Sequence, residues 1–357
     1  VEDKPPVLCE WLPWNHTFGG NATFNMVLRN GGTLHVDGGK PAPGLVETTA
    51  RNLAEISPTM YFNVPRGFDL LLPFLETDAA LRRNFFRNLD LIFYAGAALP
   101  QNLWERLEAL AVAEKGGRLA MLSAWGATET SPMATSVHYP IDRAGVVGNP
   151  APGTELKLVP TGGKLEVRVR GPNVTPGYFG RPDLTAAAFD EEGFYRIGDA
   201  MKFADEREPA RGITFDGRVA EDFKLTSGTW VHVGALRVKL IAACDPLVQD
   251  AVITGHDREE VGALVFVNPA AAKSLGLDAA GVREHLRAAL QELGAQSTGS
   301  STVPVRLLVM DEPPSIDASE ITDKGYINQR AVLERRAALV ETLHSGAPGV
   351  ILAIHSL

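Results

Sequence analysis

The chain has 357 residues, 45% of them apolar and 22% charged, and at about 150 residues per domain this predicts two or more folded units with real cores, excluding a single small module and wholesale disorder. Its formal net charge of -9, with no concentrated basic patch, excludes nucleic acid as an expected partner. No apolar run approaches the roughly 18–20 residues needed to cross a bilayer, so no membrane partner is expected.

The two cysteines, Cys9 and Cys244, match neither a disulfide framework nor a CxxC metal site, and Val1 to Pro6 does not read as a signal peptide. Both point to a reducing cytoplasm. Glycosylation-like triplets at Asn15, Asn21 and Asn173 are then chance matches of a permissive pattern. Oligomeric state is left open.

From Val7 to about Ser131 short apolar runs alternate with helical patterns: strands at Val7 to Leu12, Thr33 to Val36, Thr59 to Phe62, Leu89 to Tyr94 and Arg118 to Ser123, with helices at Leu45 to Ile56 and Pro100 to Glu114. Such repetition predicts an α/β fold with a mainly parallel sheet, whose ligands bind where loops leave the carboxyl ends of the strands. The loops after Tyr94 and Ser123 are therefore the first places to seek chemistry. Past Pro140, Gly and Pro turns separate short strands at Glu155 to Val159, Lys164 to Arg170, Phe194 to Ile197, Met201 to Ala204 and Gly212 to Phe215, the texture of a small antiparallel or barrel-like subdomain. Beyond Val219 come strands at Val231 to Lys239, Val248 to Thr254, Gly262 to Val267 and Val303 to Val309, with helices at Ala279 to Leu293 and Asn328 to Leu343. These predict a compact α+β domain of about 140 residues.

Six ordered segments carry a resemblance: LPWNHTFGG (Leu12 to Gly20), FYAGAALP (Phe93 to Pro100), SAWGATET (Ser123 to Thr130), GFYRIGDAMKF (Gly193 to Phe203) with its upstream GPNVTPGYFGRPDLTAAAF, FDGRVAEDFKLTSGTWVHVGALR (Phe215 to Arg237), and ITDKGYINQRAVLERR (Ile321 to Arg336) following DPLVQDAVITGHDREEVGALVFV. Together they resemble the core of the adenylate-forming (AMP-binding) enzymes, and the SGTWV wording resembles the feruloyl-CoA synthase branch. The implied architecture is that of the acetyl-CoA synthetase-like ANL fold: a large α/β domain over 1–218 (α/β over 1–140, then a β-rich subdomain over 141–218), a hinge at 219–222, and a smaller mobile carboxy-terminal α+β domain over 223–357. The implied activity is ATP-dependent acid–thiol ligation, with ATP, Mg2+ and CoA as cofactors or co-substrates and a small aromatic carboxylic acid such as ferulate as partner.

The resemblance also implies roles. His16 gates the acyl pocket, the alternative being a histidine satisfied near a helix start. Gly96, Ala97 and Ala98 lie against adenine, where small residues are required, or merely form a strand-to-helix turn. Trp125 and Gly126 flank the adenine pocket, Thr128 bonds the α-phosphate unless it only caps a helix, and Glu129 helps hold Mg2+. Asp199 accepts from the ribose hydroxyls, although an Asp after Gly is usually a turn residue. Arg218 contacts the ribose and phosphate region, Lys224 to Gly228 line the pantetheine tunnel, and Lys324 neutralises charge during adenylation, with a solvated lysine before a helix as its competitor. Ala220 departs from the Asp or Lys usual at the hinge, and Glu221 and Asp222 fit a charged, exposed hairpin. AQSTGSST (Ala295 to Thr302) imitates a phosphate loop but has no following Lys and reads as a surface linker. The family's phosphate loop precedes the His16 segment and is not in these residues. The resemblance thus implies that roughly the first third or more of a typical member is absent, and a catalytically incompetent nucleotide-binding remnant is the alternative from another functional class.

Overall fold

The computed structural model describes residues 4–353 except 43, 98, 298, 300, 316–317 and 322–326. The chain divides into two compact units, 1–159 with 165–215, and 160–164 with 216–357. In the first, β1 (Val7–Glu10) pairs in parallel with β2 (Thr33–Val36), and a π-helix (Phe18–Phe24) running into α1 (Asn25–Arg29) lies between them. Then follow α2 (Val46–Glu55), β3 (Met60–Asn63), α3 (Pro65–Thr77), α4 (Ala79–Arg87), β4 (Leu91–Ala95), α5 (Gln101–Lys115) and β5 (Ala120–Trp125). The sequence reading missed α3 and α4. Both are apolar on the face that meets the sheet, and Pro65 at the first turn and the Asp78 carboxylate, accepting from Ala80 and Leu81 amides, set their starts.

Strands β3, β4 and β5 are parallel, in registers that put Tyr61, Ile92 and Met121 in one row and Phe62, Phe93 and Leu122 in the next. Alternation sends the first row into the core under α3, α4 and α5, where Phe68, Leu71, Leu75, Phe85 and Leu107 are buried. Phe62 and Phe93 face the opposite way, 5.1 Å apart, with Phe18 of the π-helix 6.3 and 5.9 Å from them.

The sheet continues antiparallel through β6 (Thr135–Ser136), β7 (Val146–Pro150), β8 (Glu155–Thr161), β9 (Lys164–Arg170), β10 (Tyr195–Phe203, after the short α6, Pro182–Ala188) and β11 (Ile213–Arg218), giving nine strands in the order β3-β4-β5-β6-β7-β11-β10-β9-β8. The antiparallel strands own a separate core around Trp125, Val147, Val167, Val169, Met201 and Ile213. The two strands predicted at 194–197 and 201–204 are one, β10, broken by an irregularity between Arg196 and Ala200 that contains Gly198 at φ +80. That local break in alternation is why the sequence reads as two pieces.

In the second unit β12 (Phe223–Lys224) pairs with β13 (Trp230–Val231), and α7 (Val233–Ala243) follows. The strand predicted at 231–239 is therefore corrected to a helix. Val231 and Val233 mimic period two, but Val233, Leu236 and Leu240 recur at helical spacing on the buried face. A four-stranded sheet, β14 (Val248–Thr254), β15 (Gly262–Val267), β16 (Arg306–Val309) and β17 (Ile351–Leu352), carries α8 (Pro269–Ser274), α9 (Ala279–Ala295), α10 (Gln329–Arg335) and α11 (Ala337–Ser345). Ala251, Ile253, Ala263 and Val265 face α7 and α9, while Val252, Leu264 and Phe266 face α10 and α11. Burial on both faces explains the uninterrupted apolar runs in β14 and β15. The helix predicted at 328–343 is two, meeting at Arg336. Arg336 is buried against Glu320, whose carboxyl it holds down at about 2.

Candidate functional site

The LPWNHTFGG segment folds back on itself. A Cβ on Gly19 would lie 2.6 Å from the Pro13 carbonyl, and one on Gly20 2.3 Å from that of Trp14, so only glycine lets the π-helix approach this backbone. Half-buried His16 accepts the Phe18 amide on Nδ1 at 3.1 Å. The local hydrogen bond weighed as its bland alternative is thus present.

Just upstream, Glu10 is 4% exposed and accepts from the buried Thr23 hydroxyl. Burial pushes its carboxyl from 4.5 up to about 7, against the opposing effect of the Thr23 hydrogen bond. Between those values the unfolded chain ionises while the folded one keeps its proton, so stability falls as pH rises through this window. Glu10→Gln should match the parent at pH 4 and exceed it by about 3 kcal/mol at pH 8. Urea unfolding at the two pH values checks this, and an equal difference at both would rule out the titration.

The loops after β4 and β5 leave the carboxyl ends of adjacent parallel strands. Gly96, exposed at φ +93, makes the turn after β4, with exposed Ala97 next; Ala98 lies outside the described residues. After β5 the chain turns tightly. A Cβ on Gly126 would fall 1.9 Å from the Pro132 carbonyl, and buried Thr130 braces the turn, accepting the Ala127 amide at 2.8 Å and donating to the Pro132 carbonyl at 2.9 Å. Thr130 therefore does the local bracing, and Thr128 stands exposed at the head of the turn.

Trp125 closes β5 with its indole buried, donating Nε1–H to Oδ2 of buried Asp199 at 2.7 Å. Residues 74 apart in sequence thus meet, Asp199 lying within the irregular part of β10. Glu129 is half-buried and accepts from the Tyr178 hydroxyl at 3.0 Å, which lies 3.2 Å from that of Tyr195. Burial first, then Tyr178 and Glu129, push the Tyr195 phenol well above its ordinary value, so it stays a neutral donor. The sequence reading missed Tyr178 and Tyr195, although both lie inside quoted motifs.

The second unit holds the other predicted residues. Arg218 is exposed at the end of β11. Lys224 places its ammonium 5.0 Å from the Trp230 ring, and Gly228, at φ +81, turns the loop between β12 and β13. That loop is pinned by the Thr226 amide on the Arg258 carbonyl and the Asp257 amide on that of Lys224. Lys324 lies outside the described residues. Asp222 corrects an expectation: its carboxylate is 3% exposed, pairs with Lys164 at 2.5 Å and His232 at 3.0 Å, and accepts the Val233 amide at 2.9 Å. A cleft of about 210 Å3 adjoins the pair, bordered by Trp230.

Among the described residues no three His, Cys, Asp or Glu side chains gather as a metal cluster. Mg2+ nevertheless fits Glu129, because this ion is held by one or two carboxylates together with substrate phosphates, and Tyr178 occupies only one of the carboxylate's acceptor positions. No helix among the described residues is long and apolar enough to cross a membrane.

Residues 2–179 match the AMP-binding enzyme family and residues 233–347 its C-terminal domain. A chloroplastic long-chain-fatty-acid–[acyl-carrier-protein] ligase of Arabidopsis thaliana is 27% identical over 265 residues, 70% of this chain and 35% of that protein. Among solved structures, the A domain of a carboxylic acid reductase from Segniliparus rugosus, in complex with AMP and a carboxylic acid, superposes with a TM-score of 0.75 at 21% identity, covering 96% of this chain and 55% of that one. The anthranilate CoA ligase AuaEII, in complex with anthranoyl-AMP, superposes with a TM-score of 0.71 at 21% identity, covering 95% and 61%. At these identities the structures establish the shared adenylate-forming fold. The chain spans about a third of the length of the curated relatives it matches first. With its two matched regions in the family's order, this chain belongs to the AMP-binding enzyme family.

Proposed function

We propose that the protein is an ATP-dependent acid–CoA ligase acting on a hydroxycinnamate such as ferulate. The observation that carries this reading is the convergence of Asp199 on Trp125 beside the turn that presents Thr128 and Glu129 at the carboxyl end of the parallel strands. In this reading the acid's carboxylate attacks the ATP α-phosphate, forming acyl-AMP and releasing pyrophosphate; the CoA thiolate then attacks the acyl carbon and expels AMP. Adenine lies against Gly96, Ala97 and Ala98 and is flanked by Trp125 and Gly126, Asp199 accepts from the ribose, Thr128 donates to the α-phosphate, and Arg218 contacts the ribose and phosphate region. Bound beside Glu129, Mg2+ supplies positive charge to the phosphates. His16 borders the acyl pocket, whose aromatic side is furnished by Phe18, Phe62 and Phe93. Lys224 and Gly228 belong to the thiol route. Buried, unbridged Cys9 and Cys244 agree with a cytoplasmic setting.

Lys324 is assigned to the first half-reaction alone. Lys324→Ala should abolish acyl-AMP formation and leave thioester formation from supplied feruloyl-AMP near the parental rate. Equal loss in both half-reactions would refute that role. The reaction itself is tested by AMP release from ATP, Mg2+, CoA and a panel of aryl and fatty acids, using this chain and a form extended at its amino terminus. Turnover with ferulate above the other acids is expected. Preference for a fatty acid would move the substrate assignment, and no release by either form would favour an inactive nucleotide-binding protein.

A further inference from the structure

We propose that Tyr178, backed by Tyr195, is a positioning residue that aims the Glu129 carboxylate at the cation carried by the nucleotide; this rests on the reading above that Glu129 is a Mg2+ ligand. Each phenol has one hydrogen to give. Tyr178 donates to Glu129 Oε1 at 3.0 Å, so the 3.2 Å contact between the two hydroxyls runs from Tyr195 to Tyr178. The direction of the chain is therefore Tyr195 to Tyr178 to Glu129, and each link polarises the next.

The donor is held from several sides. Tyr195 starts β10, is buried, and packs on Phe189 at 5.6 Å. The Tyr178 amide donates to the Thr185 hydroxyl at 2.9 Å, and a Cβ on Gly177, at φ +147, would lie 2.6 Å from Thr185 Cγ2. Residue 177 must be glycine for the ring to enter at this angle. The same segment grips the backbone around Glu129. The Thr175 amide donates to the Glu129 carbonyl at 2.8 Å, and Asn173 Nδ2 to those of Thr130 at 3.1 Å and Met133 at 2.9 Å. Backbone and carboxylate of one residue are thus located by one neighbouring loop. A tie needed only for folding would be complete with the backbone bonds. The additional hydroxyl on one carboxylate oxygen fixes a rotamer and leaves the other oxygen's lone pairs for a ligand, as outer-shell donors do at metal sites.

The test is Mn2+ binding, read by electron paramagnetic resonance, to the full-length protein with α,β-methylene-ATP, for the parent, Tyr178→Phe, Tyr195→Phe and Glu129→Gln. Tyr178→Phe keeps the ring and should bind Mn2+ about tenfold more weakly, with nucleotide affinity in the absence of metal and the urea midpoint unchanged. Tyr195→Phe should give a smaller loss, and it carries the test should Tyr178→Phe misfold. Parental Mn2+ affinity in both tyrosine variants, with Glu129→Gln weakened, would overturn the positioning role and leave Glu129 as the ligand. Parental affinity in Glu129→Gln would overturn the metal reading of Glu129, and the role of Tyr178 with it.

Discussion

Asp222→Ala should destabilise the second unit by about 3–5 kcal/mol, the usual cost of removing one member of a buried ion pair. Lys164 and Asp222 have side chains 2% and 3% exposed, so neither charge is answered by water once its partner is gone. Asp222 also accepts the first amide of α7, and the ammonium of Lys164 donates to the Asp216 carbonyl, which cannot neutralise it alone. Two companion variants separate these contributions. Asp222→Asn keeps an acceptor for the Val233 amide and should fall between parent and alanine. Adding Lys164→Met to Asp222→Asn should recover some of the loss, because the uncompensated charge has been removed. Urea unfolding followed by hydrogen exchange in α7 reads all three. A loss below about 1 kcal/mol for Asp222→Ala would place the pair among solvent-screened ones.

On the proposed reading Asp199→Ala should weaken ATP binding by at least about 100-fold, since a carboxylate accepting from two ribose hydroxyls would make two charged hydrogen bonds of about 1.5–3 kcal/mol each. It should also destabilise the first unit by about 1–3 kcal/mol, leaving the buried Trp125 indole N–H without its acceptor. Asp199→Asn distinguishes the two effects. Its amide oxygen can still accept from Trp125, so folding should approach the parent while nucleotide affinity stays reduced. Titration calorimetry with ATP and urea unfolding measure the two quantities separately. Unchanged affinity in Asp199→Ala would mean that the ribose site lies elsewhere.

These two carboxylates mark the limit of reading along the chain. Asp199 is singled out by the string around it, yet nothing in that string says that one of its oxygens accepts from the Trp125 indole, 74 residues earlier. Asp222 sits among charges in GRVAEDFK and reads as solvated, because the lysine that buries it arrives from a hairpin 58 residues upstream. Tyr178 and Tyr195 illustrate the same limit: each occupies a motif, but the hydroxyl chain that ends on Glu129 is visible only in the folded sheet.

The sequence by itself determined the strand–helix alternation of the first unit, the positions of β2, β9, β14 and β15, the glycines at turns and close approaches, and the family. All are local or periodic properties, written in spacing and in residues whose backbone preferences are strong. Only the tertiary structure decided that 233–243 is a helix, since its apolar residues satisfy two periods and burial of Val233, Leu236 and Leu240 chooses between them. Only it decided which polar groups pair, because a hydrogen bond between residues tens of positions apart depends on sheet order and register, and the same residue types at the same spacing carry no record of either.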